Sequence, residues 1–132
     1  MSPLKVQMLL ADRVQFDPAR KTHSVENVRN QAVVPLFPAA IVLQALVKVW
    51  MDDGYEGTLD CRVVRPDGQC LYILAMPHIS NKRGESFVPG MDFGATVRFP
   101  VTMSGNYTLQ IMEGEACVAE YPLHVRLEGE AG

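Results

Sequence analysis

The stretches that decide the fold are TLDCRV at residues 58–63 and RPDG at residues 65–68. Apolar and polar side chains alternate in the first stretch, which places Leu59, Cys61 and Val63 on one face of a half-buried strand. In the second stretch, proline presets the backbone of a turn and glycine adopts positive φ, so a hairpin is predicted. We expect the returning strand within Gln69 to Met76.

The same alternation recurs on both sides of this hairpin. Asn106 to Ile111 and Ala116 to Leu127 flank the turn Glu113-Gly114-Glu115 and predict a second hairpin. Ala95 to Val101 also alternates. Near the start, Lys5 to Phe16 is typical of a strand and Asp17 to Arg20 of a turn. A weaker strand is expected within Thr22 to Val34.

The segment from Ala39 to Met51 fits two structures. Its polar residues Gln44 and Lys48 are four apart, so a helix and a strand each place them on one face. Four β-branched residues favour a strand. They are Ile41, Val42, Val47 and Val49.

These patterns predict about eight strands separated by turn signals, the arrangement of an antiparallel β-sandwich. The chain has 132 residues, of which 48% are hydrophobic and 20% charged, so we expect one globular domain over residues 1–132. Residues Pro77 to Asp92 have no clean period and predict a long loop. Loops of that length in a compact domain are often functional.

The stretch SGNYTL at residues 104–109 resembles the run that enters a late strand of immunoglobulin-like sandwiches. The resemblance implies that the hydroxyl of Tyr107 bonds back to the backbone in a tyrosine corner. Further matching stretches lie along nearly the whole chain. They are LLADRV at 9–14 with Lys21, VPLFP at 34–38, RPDG at 65–68 and YPLHV at 121–125.

Together these stretches are similar to an uncharacterised family of small bacterial immunoglobulin-like β-sandwich proteins. The resemblance implies an all-β, antiparallel immunoglobulin-like sandwich of about eight strands. It implies no established activity, and therefore no catalytic residues. The family usually has a shorter connection where this chain has Pro77 to Asp92, which leaves the role of that loop open.

Charge and composition exclude several classes of partner and setting. The net charge of −3 gives no electrostatic attraction to phosphate backbones, so we expect no nucleic-acid partner. No apolar run reaches the roughly 18 residues that span a bilayer, and we expect no signal peptide or membrane association. Three cysteines without a close pair favour a reducing compartment, and hence the cytoplasm.

No motif in the chain predicts catalysis. The three histidines lack metal-ligand spacing, as do the cysteines. The acidic turn at residues 52–56 lacks the acceptor spacing of a calcium loop, and nothing in the sequence places two carboxyls in one cleft. We therefore expect a protein that is not an enzyme and that has no cofactor and no metal.

An excess of apolar side chains is the feature that points to a function. In residues 71–76 and in much of 41–51, both the odd-numbered and the even-numbered residues are apolar, so both faces of these strands are apolar. A two-layer sandwich buries only one face of each sheet. We expect the excess to form a surface for self-association or for a protein partner, unless the Pro77 to Asp92 loop covers it. The surface would consist of Val42, Leu46, Trp50, Tyr72 and Leu74, and a homodimer is the favoured assembly.

Two further groups of residues are candidates for contacts. Trp50 and Tyr55 predict an alternative function, a small-molecule or carbohydrate-binding module in which exposed rings stack on the ligand. His78, Lys82 and Arg83 lie in the long loop and are candidates for contacts with an anionic ligand or partner, although a solvated loop is the explanation that the sequence favours.

Overall fold

A computed structural model, which describes residues 3–130, confirms the prediction of an all-β protein. Nine strands lie in the described part of the chain. They are β1 (Leu4–Asp17), β2 (Thr22–Val28), β3 (Gln31–Val34), β4 (Ala39–Met51), β5 (Asp60–Val64), β6 (Cys70–Ala75), β7 (Gly90–Val101), β8 (Gly105–Glu113) and β9 (Ala116–Leu127). Within residues 3–130 no helix is long and apolar enough to cross a membrane.

The strands form two sheets. One has four strands in the order β2-β1-β4-β7, and the other has five in the order β3-β9-β8-β5-β6. The expectation of about eight antiparallel strands is wrong in two respects. The weak strand predicted within Thr22 to Val34 is two strands in different sheets, and β3 pairs with β9 in parallel. Alternation within a strand sets its faces, but it does not set the sheet or direction in which the strand pairs.

The ambiguous segment is strand β4 over its full predicted length of Ala39–Met51. It lies between β7, with which it pairs throughout, and β1, with which it pairs from Gln44 onward. Its odd-numbered residues point into the core, where Ala45, Val47 and Val49 are completely buried. The β-branched side chains fit this pleated, half-buried position.

The core lies between the two sheets. Side chains of β4 and β7 meet those of β8 and β9, and Val97, Leu109, Ile111 and Leu123 are completely buried there. Cys61 is buried in the same cluster, whereas Cys70 and Cys117 are exposed, and all three thiols are free. Burial raises the pKa of the Cys61 thiol to about 12.

The turn before β8 is fixed by Tyr107 and Gly105. The hydroxyl of Tyr107, which is completely buried, donates a hydrogen bond to the carbonyl oxygen of Met103 at 2.8 Å. Gly105 has φ +139°, and a Cβ at that position would lie 2.8 Å from Cγ of Pro66. The glycine of SGNYTL is therefore required both by its backbone conformation and by the close approach of the 65–68 turn.

The predicted loop from Pro77 to Asp92 is shorter in the structure, because its last three residues already belong to β7. Asn81 fixes the end of the loop, since its Oδ1 accepts hydrogen bonds from the amides of Arg83 and Gly90. The amide of Lys82 also donates to the carbonyl oxygen of Gly90 at 2.9 Å. Phe87 and Val88 are exposed in this loop.

Candidate functional site

Three of the predicted surface residues lie on the face of the four-stranded sheet that is turned away from the core. Val42, Leu46 and Trp50 are even-numbered residues of β4, opposite in parity to its buried residues. Val42 is 53% exposed, whereas Leu46 is 8% exposed. Leu46 lines a shallow depression of about 330 Å³ together with Leu9 and Glu120. Along this face, therefore, Leu46 is largely covered and Val42 is open.

Tyr72 and Leu74 lie in the other sheet. The pairing of β5 with β6 shifts between Cys61 and Arg62, so Leu74 is opposite Cys61 and Tyr72 is opposite Arg62. This bulge places the two residues on opposite faces: Leu74 packs against the core and Tyr72 is 65% exposed. The structure thus separates the five residues that were predicted to form one apolar surface.

Trp50 is partly covered by charged side chains. Nζ of Lys48 lies 5.6 Å from the centre of its ring, and Cζ of Arg83 lies 5.4 Å from it. Both cations form an ion pair with Oδ1 of Asp92, which lies 3.2 Å from Nζ of Lys48 and 2.7 Å from Nη2 of Arg83. Through Arg83, the loop therefore covers Trp50 but not Val42.

The remaining predicted contact residues do not converge on this cluster. The Tyr55 hydroxyl donates to the carboxylate of Glu113 in β8, and burial together with this bond raises the pKa of Tyr55 to about 12. His78 Nε2 lies 3.0 Å from Oε1 of Glu56 at an exposed position. The Lys82 side chain is exposed. Two cations lie over the ring of Trp50, and Tyr55 is half-buried with its hydroxyl bonded to Glu113.

A larger concave surface lies at one end of the molecule. We call it the edge groove: it has a volume of about 680 Å³ and is lined by residues 28–35 and 39–43 together with Asp12. Three valines on its walls are about half exposed: Val28 at 50%, Val33 at 45% and Val42 at 53%. These valines make the edge groove partly apolar.

One wall of the edge groove is a strand edge with which none of the nine described strands pairs. The amide of Met51 donates to the carbonyl oxygen of Pro89, so the backbone N–H and C=O groups of the odd-numbered residues of β4 bond to β7. The backbone groups of its even-numbered residues point in the plane of the sheet to the opposite side, away from β7. From Gln44 onward that side is occupied by β1. The backbone groups of Ala40 and Val42 lie before this point and face the groove.

The other wall is the free edge of β3. The amides of His124 and Glu128 donate to the carbonyl oxygens of Asn30 and Val34, so the even-numbered residues of β3 bond to β9. The backbone groups of Val33 point away from β9. In the described part of the chain no backbone hydrogen bond joins this edge to β4.

A group of polar side chains closes the rim of the edge groove. Arg29 donates two hydrogen bonds to the carboxylate of Asp12, from Nε at 2.7 Å and from Nη2 at 2.8 Å, and Asn27 donates a third. The bonds from Arg29, followed by the bond from Asn27, lower the pKa of Asp12. The amide of Arg29 also donates to the carbonyl oxygen of Leu10, which ties the rim to β1.

Sequence reasoning found Val42 but missed Val28 and Val33. Both lie in the segment for which alternation was weak, because the chain there leaves one sheet and enters the other. The signal that was present is the pair Pro35 and Pro38, which separates β3 from β4 by a segment that cannot continue a ladder.

No three His, Cys, Asp or Glu residues between residues 3 and 130 come together as a metal site. No protein-family model and no curated protein matches the chain. Among solved structures, the chain is similar to an alkylpurine DNA glycosylase, AlkC, of Pseudomonas fluorescens bound to DNA containing an abasic site analog. The identity is 9% and the TM-score 0.42, over 95% of this chain and 31% of the glycosylase chain. The chain thus spans about a third of the length of that protein, and a likeness at this level carries no argument about function.

Proposed function

We propose that this chain is a non-enzymatic binding protein that takes up an extended apolar segment of a protein partner in the edge groove. The observation that carries the proposal is the pair of unpaired strand edges that face each other across the groove, with exposed valines between them. A peptide in extended conformation supplies alternating N–H and C=O groups to such edges, and its side chains enter the apolar pockets.

The chemistry of the groove favours a peptide over a small polar ligand. Val28, Val33 and Val42 present branched aliphatic groups, which contribute by burial of apolar surface. The charged groups of Asp12 and Arg29 at the rim are already bonded to each other. A partner segment with uncharged residues at alternate positions would therefore be preferred.

We also propose that the fold is an immunoglobulin-like sandwich and that the protein works in a reducing, cytoplasmic setting. In support of the fold, a short strand runs parallel to the last strand, and the Tyr107 bond is of the kind that tyrosine corners make. In support of the setting, the three cysteines are unpaired. The net charge of −3 agrees with a partner that is not a nucleic acid.

The test is selection of a phage-displayed library of random linear peptides on the immobilised protein. We expect enriched peptides to carry aliphatic residues at alternate positions. Val33→Lys or Val42→Lys should lower their affinity about tenfold or more, because a charge is then desolvated at the centre of the contact.

The matched control is Tyr72→Lys, which changes a more exposed hydrophobic residue, at the far edge of the other sheet. This variant should bind the selected peptides with unchanged affinity. The proposal is overturned if no peptide is enriched, or if the valine variants bind the enriched peptides as tightly as Tyr72→Lys does.

A further inference from the structure

Strand β7 forms the outer edge of the four-stranded sheet, on the opposite side of β4 from the edge groove. It pairs with β4 from Gly90 to Val101 without a register shift. No other strand in the described part of the chain pairs with its second edge. An edge of this length is a template for another strand.

The ladder with β4 fixes which groups of β7 are free. Odd-numbered residues of β7 bond to β4, so the N–H and C=O groups of its even-numbered residues point outward. Gly90 agrees with this assignment, since its amide and carbonyl groups bond to Asn81 and Lys82 and not to β4. The outward groups from Asp92 to Arg98 have no recorded hydrogen bond within residues 3–130.

At both ends of this free edge the backbone cannot pair with a further strand. At one end, the amide and carbonyl groups of Gly90 are already hydrogen-bonded to Asn81 and Lys82. At the other end, Pro100 has no N–H to donate. What remains is a segment of seven residues, 92–98, whose centre is Ala95. We call it the β7 edge.

The β7 edge is complementary to its own reversed copy. If two copies pair in antiparallel fashion about a two-fold axis at Ala95, Asp92 lies opposite Arg98 and Gly94 lies opposite Thr96. Each of the four even-numbered pairs can exchange two backbone hydrogen bonds. Ala95 meets its own copy at the closely spaced position, where a small side chain fits.

The charges on the β7 edge favour this register. Oδ1 of the Asp92 carboxylate accepts a hydrogen bond from Arg83 and lies 3.2 Å from Nζ of Lys48, and no hydrogen bond to Oδ2 is found within residues 3–130. Arg98 is exposed and makes no recorded ion pair within residues 3–130. Opposite charges on facing residues stabilise a strand pair, and the two-fold axis makes this contact twice.

We propose that the chain forms a homodimer through the β7 edge, which joins the two four-stranded sheets into one continuous sheet. Two of the other outer strands carry features that natural proteins use against edge pairing. Strand β6 has six residues and a bulge in its pairing, and β2 contains the left-handed residue Asn27. The third, β3, has only four residues, and its free edge faces the edge groove. Within the β7 edge neither proline nor bulge interrupts the backbone.

The first test is the molar mass in solution, measured by light scattering across a concentration series. We expect wild type to have twice the 14.6 kDa of one chain. Thr96→Pro removes an N–H that makes no hydrogen bond within residues 3–130, so it should fold and raise the dimer dissociation constant about tenfold or more. Thr96→Val keeps that N–H and should remain dimeric.

Arg98→Glu is a second, independent variant, which places two carboxylates opposite each other and should also weaken the dimer. Circular dichroism and amide NMR spectra of each variant establish that it is folded. The proposal is overturned if wild type is monomeric at its highest soluble concentration. It is equally overturned if a wild-type dimer persists unchanged in folded Thr96→Pro and Arg98→Glu.

The second test is specific for the register. In a background in which Cys70 and Cys117 are replaced by serine, Ala95→Cys should give a covalent dimer on mild oxidation, because the two Cβ atoms lie about 4.5–5.5 Å apart. Thr102→Cys lies beyond the end of the β7 edge and should give none. Equal yields from the two variants, or no covalent dimer from Ala95→Cys, contradict the two-fold axis at Ala95.

Discussion

At the scale of single residues, Tyr107 shows how a polar atom is kept in the core. Its ring is completely buried, and its hydroxyl reaches the carbonyl oxygen of Met103 across the turn before β8. A buried polar group that loses its partner costs free energy, so such bonds fix local conformation. The resemblance to immunoglobulin-like chains pointed to this residue from the motif SGNYTL alone.

Removing this hydroxyl tests its contribution. Tyr107→Phe keeps the ring but leaves the Met103 carbonyl oxygen without its donor, and should lower the free energy of unfolding by about 1 kcal/mol. Equilibrium unfolding in urea measures the change. Tyr72→Phe, at an exposed ring, should have no measurable effect, and equal losses for both variants would contradict the assignment.

The three thiols should differ in reactivity because they differ in burial. Burial raises the pKa of Cys61 to about 12, and burial together with the nearby Glu120 carboxylate raises that of Cys117. The thiolate is the reactive form, so alkylation should modify exposed Cys70 first, Cys117 more slowly and Cys61 only after unfolding. Peptide mass spectrometry after timed iodoacetamide treatment reports the order. Early labelling of Cys61 would contradict the packing of the core.

At the scale of elements, the start of β7 depends on a glycine. A Cβ at Gly90 would meet the carbonyl oxygen of Val49 and the guanidinium of Arg83. Arg83 is at the same time the residue that lies over Trp50 and binds Asp92. The loop and the sheet therefore meet at a position that has no room for a side chain.

Gly90→Ala should consequently lower the free energy of unfolding by about 1–3 kcal/mol, the usual cost of forcing atoms into a packed site. Thermal and urea unfolding measure the loss. Gly84→Ala is the control in the same loop, since its Cβ would lie 3.5 Å from the ring of Phe87, an ordinary contact. If the two variants are equally stable, the close packing at Gly90 is wrong.

The β1–β2 hairpin is held by the carboxylate of Asp12, whose pKa is lowered chiefly by hydrogen bonds from Arg29. Because the folded pKa is lowered, the stabilisation is complete above the unfolded carboxyl pKa of about 3.9 and is lost as the pH falls through the folded value. Asp12→Asn should therefore reduce Tm at neutral pH, and the difference from wild type should vanish in acid.

The measurement is Tm against pH for wild type and Asp12→Asn, at low salt because the pair is exposed. Asp53→Asn is the control, since Asp53 lies in an exposed turn and makes no recorded side-chain bond within residues 3–130. A difference for Asp12→Asn that persists unchanged at low pH would show that the carboxylate charge is not its cause.

At the scale of the whole molecule, the two sheets leave different edges open, and amide exchange can distinguish them. The amides of Ala95 and Val97 bond to β4, whereas those of Gly94 and Thr96 point outward. In a dilute monomer the outward amides should exchange fast and the inward ones slowly. Association through the β7 edge should slow the outward amides as the concentration rises. If they exchange fast even where light scattering reports a dimer, another surface forms it.

The sequence by itself determined most of the strands, because period-two alternation and turn residues act over a few neighbouring positions. It predicted β4 from Ala39 to Met51 and both hairpins, and it selected Tyr107 and Val42. Only the tertiary structure decided which strands share a sheet, that β3 runs parallel to β9, and that a bulge separates Tyr72 from Leu74.

The physical reason is that pairing is a contact between distant parts of the chain. Alternation tells which side of a strand is apolar, but both sheets of a sandwich offer the same apolar interior to that side. Strand edges are made of backbone atoms, which every residue but proline carries alike. The edge groove and the β7 edge are therefore consequences of the assembled sheets, and local side-chain patterns do not encode them.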